Sequence, residues 1–225
     1  MASCSEQQGQ TTIPMTAAMQ RKVMSENLKD VRHKLFVMSG KGGVGKSSVT
    51  VNLAAALAAQ GFNVGILDVD LHGPSVPHLL GSHGFVRVDN EDGKLVPVSC
   101  GERLSLISIE SFLEDKDAAI IWRGPKKVGA IQQFVADVDA ALLLVEPIAH
   151  IGPQEEELLG QLRAAHAPVI LVINKIDTVE KENLLAVIAA YAAKFEFDAV
   201  VPVSAKFGDG IPDLLRECAR HAADS

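Results

Sequence analysis

The chain has 225 residues, 48% of them hydrophobic, and a formal net charge of -7, which gives enough apolar sequence for the core of one α/β domain. The acidic balance argues against a general polyanion-binding surface, because nonspecific affinity for nucleic acids rests on clustered lysine and arginine. The three cysteines are scattered and lack C-x-x-C spacing, so we expect no disulfides. The sequence has no apolar run long enough for a bilayer and no signal peptide, and we therefore expect a soluble cytoplasmic protein.

The amino-terminal part of the chain leads into a strand, a glycine-rich loop and a helix. Residues 1–14 are polar and indicate a disordered tail, and 15–29 have the pattern of a short leading helix. The apolar run 35–38 predicts a buried strand, and apolar residues at helical spacing from Val49 predict a helix that ends at Gly61. A glycine-rich segment therefore joins a strand to a helix.

That segment, G-K-G-G-V-G-K-S-S, fits the phosphate-binding pattern G-x-x-x-x-G-K-[ST]. Its glycines allow successive backbone N–H groups to turn towards phosphate oxygens, and the helix amino terminus adds a positive dipole end. The lysine before the helix is expected to reach the β- and γ-phosphates, and the next serine to ligate Mg²⁺. The predicted nucleotide-binding residues of this loop are Gly42, Gly43, Val44, Gly45, Lys46, Ser47 and Ser48.

The elements after this helix continue the alternation of strands and helices. An apolar strand at 63–70 carries two carboxylates, Asp68 and Asp70, at its carboxyl end, where ligands commonly bind in α/β sheets. The segment 86–98 resembles a hairpin with an Asp-Gly turn. A strand is expected at 104–109 and a helix at 128–138.

The carboxyl-terminal part has the same alternating pattern. Strands are expected at 140–145, 169–173 and 199–203, and helices at 155–164, 181–194 and 211–221. Such alternation predicts an α/β fold: a three-layer P-loop NTPase with a mostly parallel sheet covered by helices on both faces. We expect a tail and leading helix over 1–30 and a single nucleotide-binding domain over 31–221, with halves 31–138 and 139–221.

From about residue 28 to 138 the chain resembles the Mrp-type iron–sulfur carrier ATPases, relatives of the MinD and ParA ATPases. The matching motifs are G-K-G-G-V-G-K-S-S, L-D-V-D-L-H-G-P-S and W-R-G-P-K-K. The resemblance implies that Lys41 reaches across a homodimer to the partner's nucleotide, and that Asp70 lies near Mg²⁺ and the attacking water. Lys41, Lys46 and Asp70 are therefore the candidate catalytic residues.

From about 137 to 217 the chain resembles the second half of an Era-type GTPase, through D-V-D-A-A-L-L-L-V-E-P, A-P-V-I-L-V-I-N-K-I-D and V-P-V-S-A-K. The resemblance implies that Asn174, Lys175 and Asp177 recognise the base. A carboxylate at 177 can accept hydrogen bonds from N1–H and the exocyclic amine of guanine, a donor pair that adenine lacks. The resemblance also implies that Lys175 lies along base and ribose, that Asn174 braces the neighbouring loop, and that backbone N–H groups face guanine O6 from the turn Ser204, Ala205 and Lys206.

At the junction of the two patterns, the segments P-P-G-T-G-D and D-T-P-G, which the two families use for Mg²⁺ and the γ-phosphate, are both absent from the sequence. Two registers remain open. In the first, 141–147 replaces the missing strand and brings Glu146 close to the metal. In the second, this strand takes its Era-type position on the far side of the phosphate-loop strand. The position of the missing metal-binding carboxylate is then empty, and hydrolysis is slow or absent. The Mg²⁺ candidates are Ser47, Asp70 and Glu146.

The two half-patterns suggest a recombined or engineered hybrid, and a natural divergent gene is the alternative. The downstream C-x-x-C cluster ligands of the first family and the RNA-binding KH domain of the second are not found in this sequence. We predict a P-loop protein that binds GTP or ATP with Mg²⁺ and hydrolyses it weakly, with GTP favoured if the second half packs as in Era. The alternative is a nucleotide-binding module or hybrid scaffold without turnover; whether the chain is an enzyme stays open.

Overall fold

A computed structural model describes residues 30–68, 75–82, 87–88, 95–108, 138–165 and 167–223. The described strands are β1 (Leu35–Met38), β2 (Val64–Asp68), β3 (Arg87–Val88), β4 (Leu95–Val96), β5 (Val98–Ser99), β6 (Leu104–Ser108), β7 (Ala140–Val145), β8 (Val169–Ile173) and β9 (Ala199–Pro202). The described α-helices are α1 (Lys46–Ala59), α2 (Ser75–Leu79), α3 (Pro153–Ala165), α4 (Lys181–Ala192) and α5 (Ile211–Ala223). A short 3-10 helix, Ile176–Thr178, follows β8.

The main sheet has four parallel strands in the order β1, β7, β8, β9. Every residue of β7 and β8 is buried, as expected for strands of a parallel sheet with both faces covered. Since all four strands run the same way, their carboxyl ends lie at one edge. The phosphate loop and the loops after β7, β8 and β9 therefore share that edge.

Alternate residues of β7 belong to two core layers, because successive side chains of a strand point to opposite faces. One layer joins Ala141, Leu143 and Val145 to apolar residues of α3 and α4, among them Leu159 and Tyr191. The other layer joins Ala140, Leu142 and Leu144 to α1 and α5, with Val49, Leu53, Leu214 and Cys218. Both layers combine residues from before and after position 139, so the two halves share one core.

A second sheet has the order β2, β6, β5 and packs on the other side of α1. β2 and β6 are parallel, whereas β5 is antiparallel to β6. Ala54 of α1 lies in a cluster with Ile66, Leu104 and Leu106 of this sheet. Among the described residues the strands thus form separate sheets, and β3 with β4 forms a small antiparallel pair.

The predicted α/β class, with parallel strands and helices on both faces, is confirmed. The predicted hairpin is confirmed as the β3–β4 pair, but Val98 is wrongly included in it, because this residue belongs to β5 and pairs with β6. The predicted tail, leading helix and 128–138 helix, together with Asp70, lie outside the described residues. The division into domains stays a prediction. No helix in the described ranges is long and apolar enough to cross a bilayer.

Candidate nucleotide-binding site

The phosphate loop turns sharply into α1. Gly43 and Gly45 have φ angles of 77° and 97°, in the left-handed region that a residue with a Cβ rarely adopts. Gly45 is the amino-terminal cap of α1, which begins at Lys46, while the Val44 side chain is buried in the core cluster beneath. This geometry combines a fixed loop with the positive end of a fourteen-residue helix.

The polar side chains of the loop have hydrogen-bond partners within the protein. The Lys46 Nζ donates to Ser39 Oγ at 3.0 Å, and Ser39 Oγ donates to the Lys41 carbonyl at 2.7 Å. The Ser47 hydroxyl is hydrogen-bonded to the hydroxyl of Ser75, at the start of α2. The predicted phosphate lysine and metal-ligating serine therefore lie together at the start of α1.

Asn174 connects the phosphate loop to the later loops. Its Nδ2 donates to the Val44 carbonyl at 2.8 Å, and its Oδ1 accepts from the Ala205 N–H at 3.0 Å. The side chain is buried, and it occupies the space that a Cβ on Gly45 would need. The predicted bracing contact of Asn174 is thus present, and it links loops that are 130 residues apart in sequence.

A second asparagine, Asn52 of α1, reaches the same region. Its Nδ2 donates to the Ser48 carbonyl at 2.9 Å and to the Ala205 carbonyl at 3.1 Å. Ala205 is therefore bonded through its N–H to the loop after β8 and through its carbonyl to α1. Sequence reasoning did not single out Asn52: an asparagine can bond to the carbonyl four residues earlier in a helix, but this pattern does not reveal the partner Ala205.

The candidate base-recognition residues follow β8 and β9. Lys175 has a φ angle of 64° and precedes the 3-10 helix that contains Asp177. Ser204 Oγ donates to Asp177 Oδ1 at 2.7 Å, which orients the carboxylate. The Lys206 ammonium lies 4.9 Å from the ring centroid of the exposed Phe207. The structure brings all the predicted base-loop residues to the sheet edge that carries the phosphate loop.

Lys41 is held by a carboxylate from the second half of the chain. Its Nζ lies 3.1 Å from Glu155 Oε2 on α3, and only 4% of the Glu155 side chain is exposed. The same carboxylate accepts from the Gly152 N–H at 2.7 Å and from the Tyr191 hydroxyl at 3.2 Å. Burial, reinforced by this carboxylate, raises the pKa of Tyr191, so the phenol keeps the proton that it donates.

Glu155 also fixes the identity of a phosphate-loop residue. A Cβ on Gly40 would lie 2.5 Å from Glu155 Cγ, so only glycine fits there without a shift of α3. Sequence reasoning missed Glu155. Its place three residues after Gly152, at the start of a helix, fits the glutamate half of a capping box, but glycine lacks the hydroxyl that completes the motif, and the pattern does not reveal the partner Lys41.

Glu146, a candidate Mg²⁺ ligand, lies directly after β7 and contacts a base-loop residue. Its Oε1 accepts from Lys175 Nζ at 2.5 Å. The described residues contain no group of three or more histidine, cysteine or acidic side chains arranged to hold a metal. The metal role of Glu146 stays a prediction.

Comparison with protein families matches each half of the chain to a nucleotide-binding family. The ParA family model, whose description is NUBPL iron-transfer P-loop NTPase, matches residues 30–144. The elongation factor Tu GTP-binding domain matches residues 128–224. The second match is to elongation factor Tu rather than to Era, so the Era-type hybrid is not confirmed.

Curated relatives support the first match. The iron–sulfur cluster carrier protein of Methanococcus maripaludis is 49% identical over 120 residues, 53% of this chain and 41% of the relative. The cytosolic Fe–S cluster assembly factor NUBP2 of Mus musculus is 50% identical over 126 residues, 55% of this chain and 46% of the relative. The carrier of Methanocaldococcus jannaschii is 43% identical over 173 residues, 76% of this chain and 58% of the relative. The chain thus spans about half the length of these relatives.

Solved structures agree with the fold. A nucleotide-binding protein from Archaeoglobus fulgidus, in complex with ADP, has a TM-score of 0.60 at 24% identity, covering 89% of this chain and 92% of that one. Cobyrinic acid a,c-diamide synthase from Mycobacterium smegmatis, with ADP and magnesium, has a TM-score of 0.57 at 14% identity, covering 83% and 92%. Because the iron-transfer family model covers more than half of the sequence, the chain belongs to the ParA-type, NUBPL-like iron-transfer P-loop NTPases.

Proposed function

We propose that the chain binds a guanine nucleotide with Mg²⁺ and hydrolyses GTP slowly. The observation that carries this proposal is the buried Asn174 amide, which is bonded both to Val44 of the phosphate loop and to Ala205 of the turn after β9. One side chain thereby holds the phosphate-binding part and the candidate base-reading part in a fixed relation. The proposed pocket is built from both halves of the chain.

Guanine is preferred in this proposal because a carboxylate lies on the base side of the pocket. Asp177 can accept from N1–H and the exocyclic amine of guanine, and adenine offers no such donor pair. Ser204 donates to Oδ1 and fixes the plane of this carboxylate, which leaves Oδ2 and the second lone pair of Oδ1 for the two donors of the base. The match to the elongation factor Tu GTP-binding domain over 128–224 supports the same choice.

The phosphate side supports binding of a triphosphate. Backbone N–H groups of Gly42 to Ser48 and the Lys46 ammonium supply positive potential at the start of α1. The paired hydroxyls of Ser47 and Ser75 form an oxygen-rich position beside it, which fits the ligand preference of Mg²⁺. Ser47 and Asp70 would hold the ion, and bound Mg²⁺ would neutralise charge developing on the phosphate oxygens.

Slow turnover is part of the proposal. The chain contributes positioning through the loop and electrostatic stabilisation through Lys46, and phosphoryl transfer depends mainly on these two effects. The sequence lacks both segments that the resembled families use around the γ-phosphate. The alternative, a binding module without turnover, is favoured by Lys41, whose ammonium is engaged with Glu155 rather than free in the loop.

Carriage of an iron–sulfur cluster, which the names of the relatives describe, is not part of this proposal. Burial, reinforced by Glu217, raises the pKa of the Cys218 thiol to about 12, and its side chain is packed in the core below α1. A protonated, enclosed thiol is a poor cluster ligand, because the thiolate is the ligating form. The word cytosolic in the name of the mouse relative supports our proposal of a cytoplasmic location.

Base selectivity tests the proposal directly. We expect fluorescent GDP to bind and to be displaced by GTP about tenfold or more better than by ATP, since charge-assisted hydrogen bonds contribute about 1.5–3 kcal/mol. Lys46→Ala should lose binding of both nucleotides. Asp177→Asn should weaken guanine binding and favour xanthine, whose additional carbonyl accepts from the new amide. Unchanged selectivity in Asp177→Asn would contradict the assignment of this residue.

A matched pair of glycine substitutions tests whether Asn174 couples the two halves. Gly43→Ala and Gly45→Ala both force alanine into the left-handed region, at a cost of about 1–2 kcal/mol each. Only Gly45→Ala also displaces Asn174, since a Cβ on Gly43 meets nothing within 4 Å. Denaturant unfolding without nucleotide should show Gly45→Ala less stable than Gly43→Ala by about a further 1–3 kcal/mol, the cost of unsatisfied buried groups. Equal losses would mean that the Asn174 contacts contribute nothing.

Turnover is measured as steady-state phosphate release. We expect a rate on the order of 10⁻³ s⁻¹ or slower, the range of GTPases that lack a supplied arginine. Lys46→Ala is the control for contaminating phosphatase. Release no faster than in this control would rule out the enzyme and leave the binding module.

A nucleotide-dependent homodimer is the remaining part of the proposal, and it requires Lys41 to leave Glu155. Glu155→Gln keeps a polar partner for Gly152 and Tyr191 but removes the charge that attracts the Lys41 ammonium. With a nonhydrolysable GTP analogue, light scattering should show the 23.9 kDa chain doubling in mass at lower protein concentration in this variant than in wild type. Lys41→Ala should stay monomeric. Monomers in wild type and Glu155→Gln alike would refute the dimer.

A further inference from the structure

The contact between Glu146 and Lys175 joins two neighbouring loops at the base side of the proposed pocket. β7 and β8 are paired with Val145 opposite Ile173, so the residues that follow these strands emerge side by side. Glu146 is the first residue after β7, and Lys175 is the second after β8. Their charged atoms, Oε1 and Nζ, are 2.5 Å apart.

The backbone of Lys175 is fixed, but its side chain has only one partner among the described contacts. Thr178 donates to the Lys175 carbonyl twice, from its N–H at 3.0 Å and from Oγ1 at 2.7 Å, which closes the turn in the left-handed conformation. A lysine side chain has four carbons and large rotamer freedom, and 40% of this one is exposed. The hydrogen bond to Glu146 determines where its ammonium lies.

The position of this ammonium matters because Asp177 is only two residues away. An unanchored Lys175 would be attracted to the Asp177 carboxylate, the group that must receive the N–H donors of guanine. The Asp177 oxygen not bonded to Ser204 would then be occupied by the protein's own cation. Glu146 offers the ammonium a competing carboxylate on the other side of the loop.

We infer that Glu146 is a positioning residue for base recognition: by pairing with Lys175, it keeps the lysine extended along the pocket and the Asp177 carboxylate free for guanine. This inference rests on the proposed function. It gives Glu146 a role different from ligation of Mg²⁺. The two roles differ in what they predict, because a metal ligand acts on the phosphates of every nucleotide, whereas a base-positioning residue acts on guanine alone.

The test uses Glu146→Gln and a matched control on the surface. Glu156 forms a comparable ion pair with Lys194 at 2.8 Å, away from both base loops. The hydrogen bond from Lys194 lowers the pKa of Glu156. Equilibrium binding of fluorescent GDP and ADP is measured for wild type, Glu146→Gln and Glu156→Gln over a range of Mg²⁺ concentrations. Thermal unfolding of each variant verifies that it is folded.

We expect Glu146→Gln to weaken GDP binding by about fivefold or more, the effect of losing one charged contact. ADP binding and the Mg²⁺ concentration at half-maximal binding should not change, and Glu156→Gln should match wild type. Lys175→Met keeps a flexible side chain but removes the ammonium. In this background Glu146→Gln should not weaken GDP binding further, because a double-mutant cycle shows no additional effect once the interacting group is gone.

Three results would overturn the inference. Equal weakening of GDP and ADP with a shift to higher Mg²⁺ would identify Glu146 as a metal ligand. Unchanged GDP binding in a wild-type protein that prefers guanine would reduce the contact to an ordinary surface ion pair, whose contribution is small. Absence of guanine preference in wild type itself would overturn the proposed function, and with it this inference.

Discussion

The arrangement of the site depends on the buried amide of Asn174. An asparagine side chain has a donor and an acceptor at opposite corners, and here the donor bonds to the phosphate loop and the acceptor to the turn after β9. A buried polar group costs free energy unless both ends find partners, so the amide restricts the two loops to one relative position. This restriction is local, directional and independent of any bound ligand.

The main sheet makes this arrangement possible. β7 and β8 are short apolar strands buried on both faces, and their side chains interlock with two layers of helices. Polar residues begin immediately where the strands end: Glu146 after β7, Asn174 after β8 and Ser204 shortly after β9. The polar groups therefore form a row at one edge of the sheet. The position of each is fixed by the buried strand that precedes it in the chain.

The sequence was sufficient to predict the local features, but not to predict which residues distant in the chain contact each other. The phosphate loop and the strands of the main sheet could be predicted, because each depends on a short pattern with a known physical cause. The bracing contact of Asn174 was expected only through the resemblance to Era-type GTPases. The partner of Lys41 could not, since Glu155 is 114 residues later in the chain and carries only the signal of a helix cap. The role of Glu146 could not be predicted for a related reason. The residues around it depend on the order of the strands, and residue types alone do not specify which strand lies beside β1. The β5 strand was missed because two residues are too few to show a period.

In the main sheet a strand from the first half of the chain pairs with a strand from the second half, and this has a consequence for any fragment of the chain. Among the described strands, β1 has only β7 as a hydrogen-bonded neighbour, and the apolar side of α1 is covered by residues from β7, β8 and α5. A fragment ending near residue 138 would therefore carry an open strand edge and an uncovered helix face, both of which promote association with other chains. Whatever ancestry the two halves have, each core layer draws on both of them, and the proposed nucleotide site is likewise built from residues of both halves.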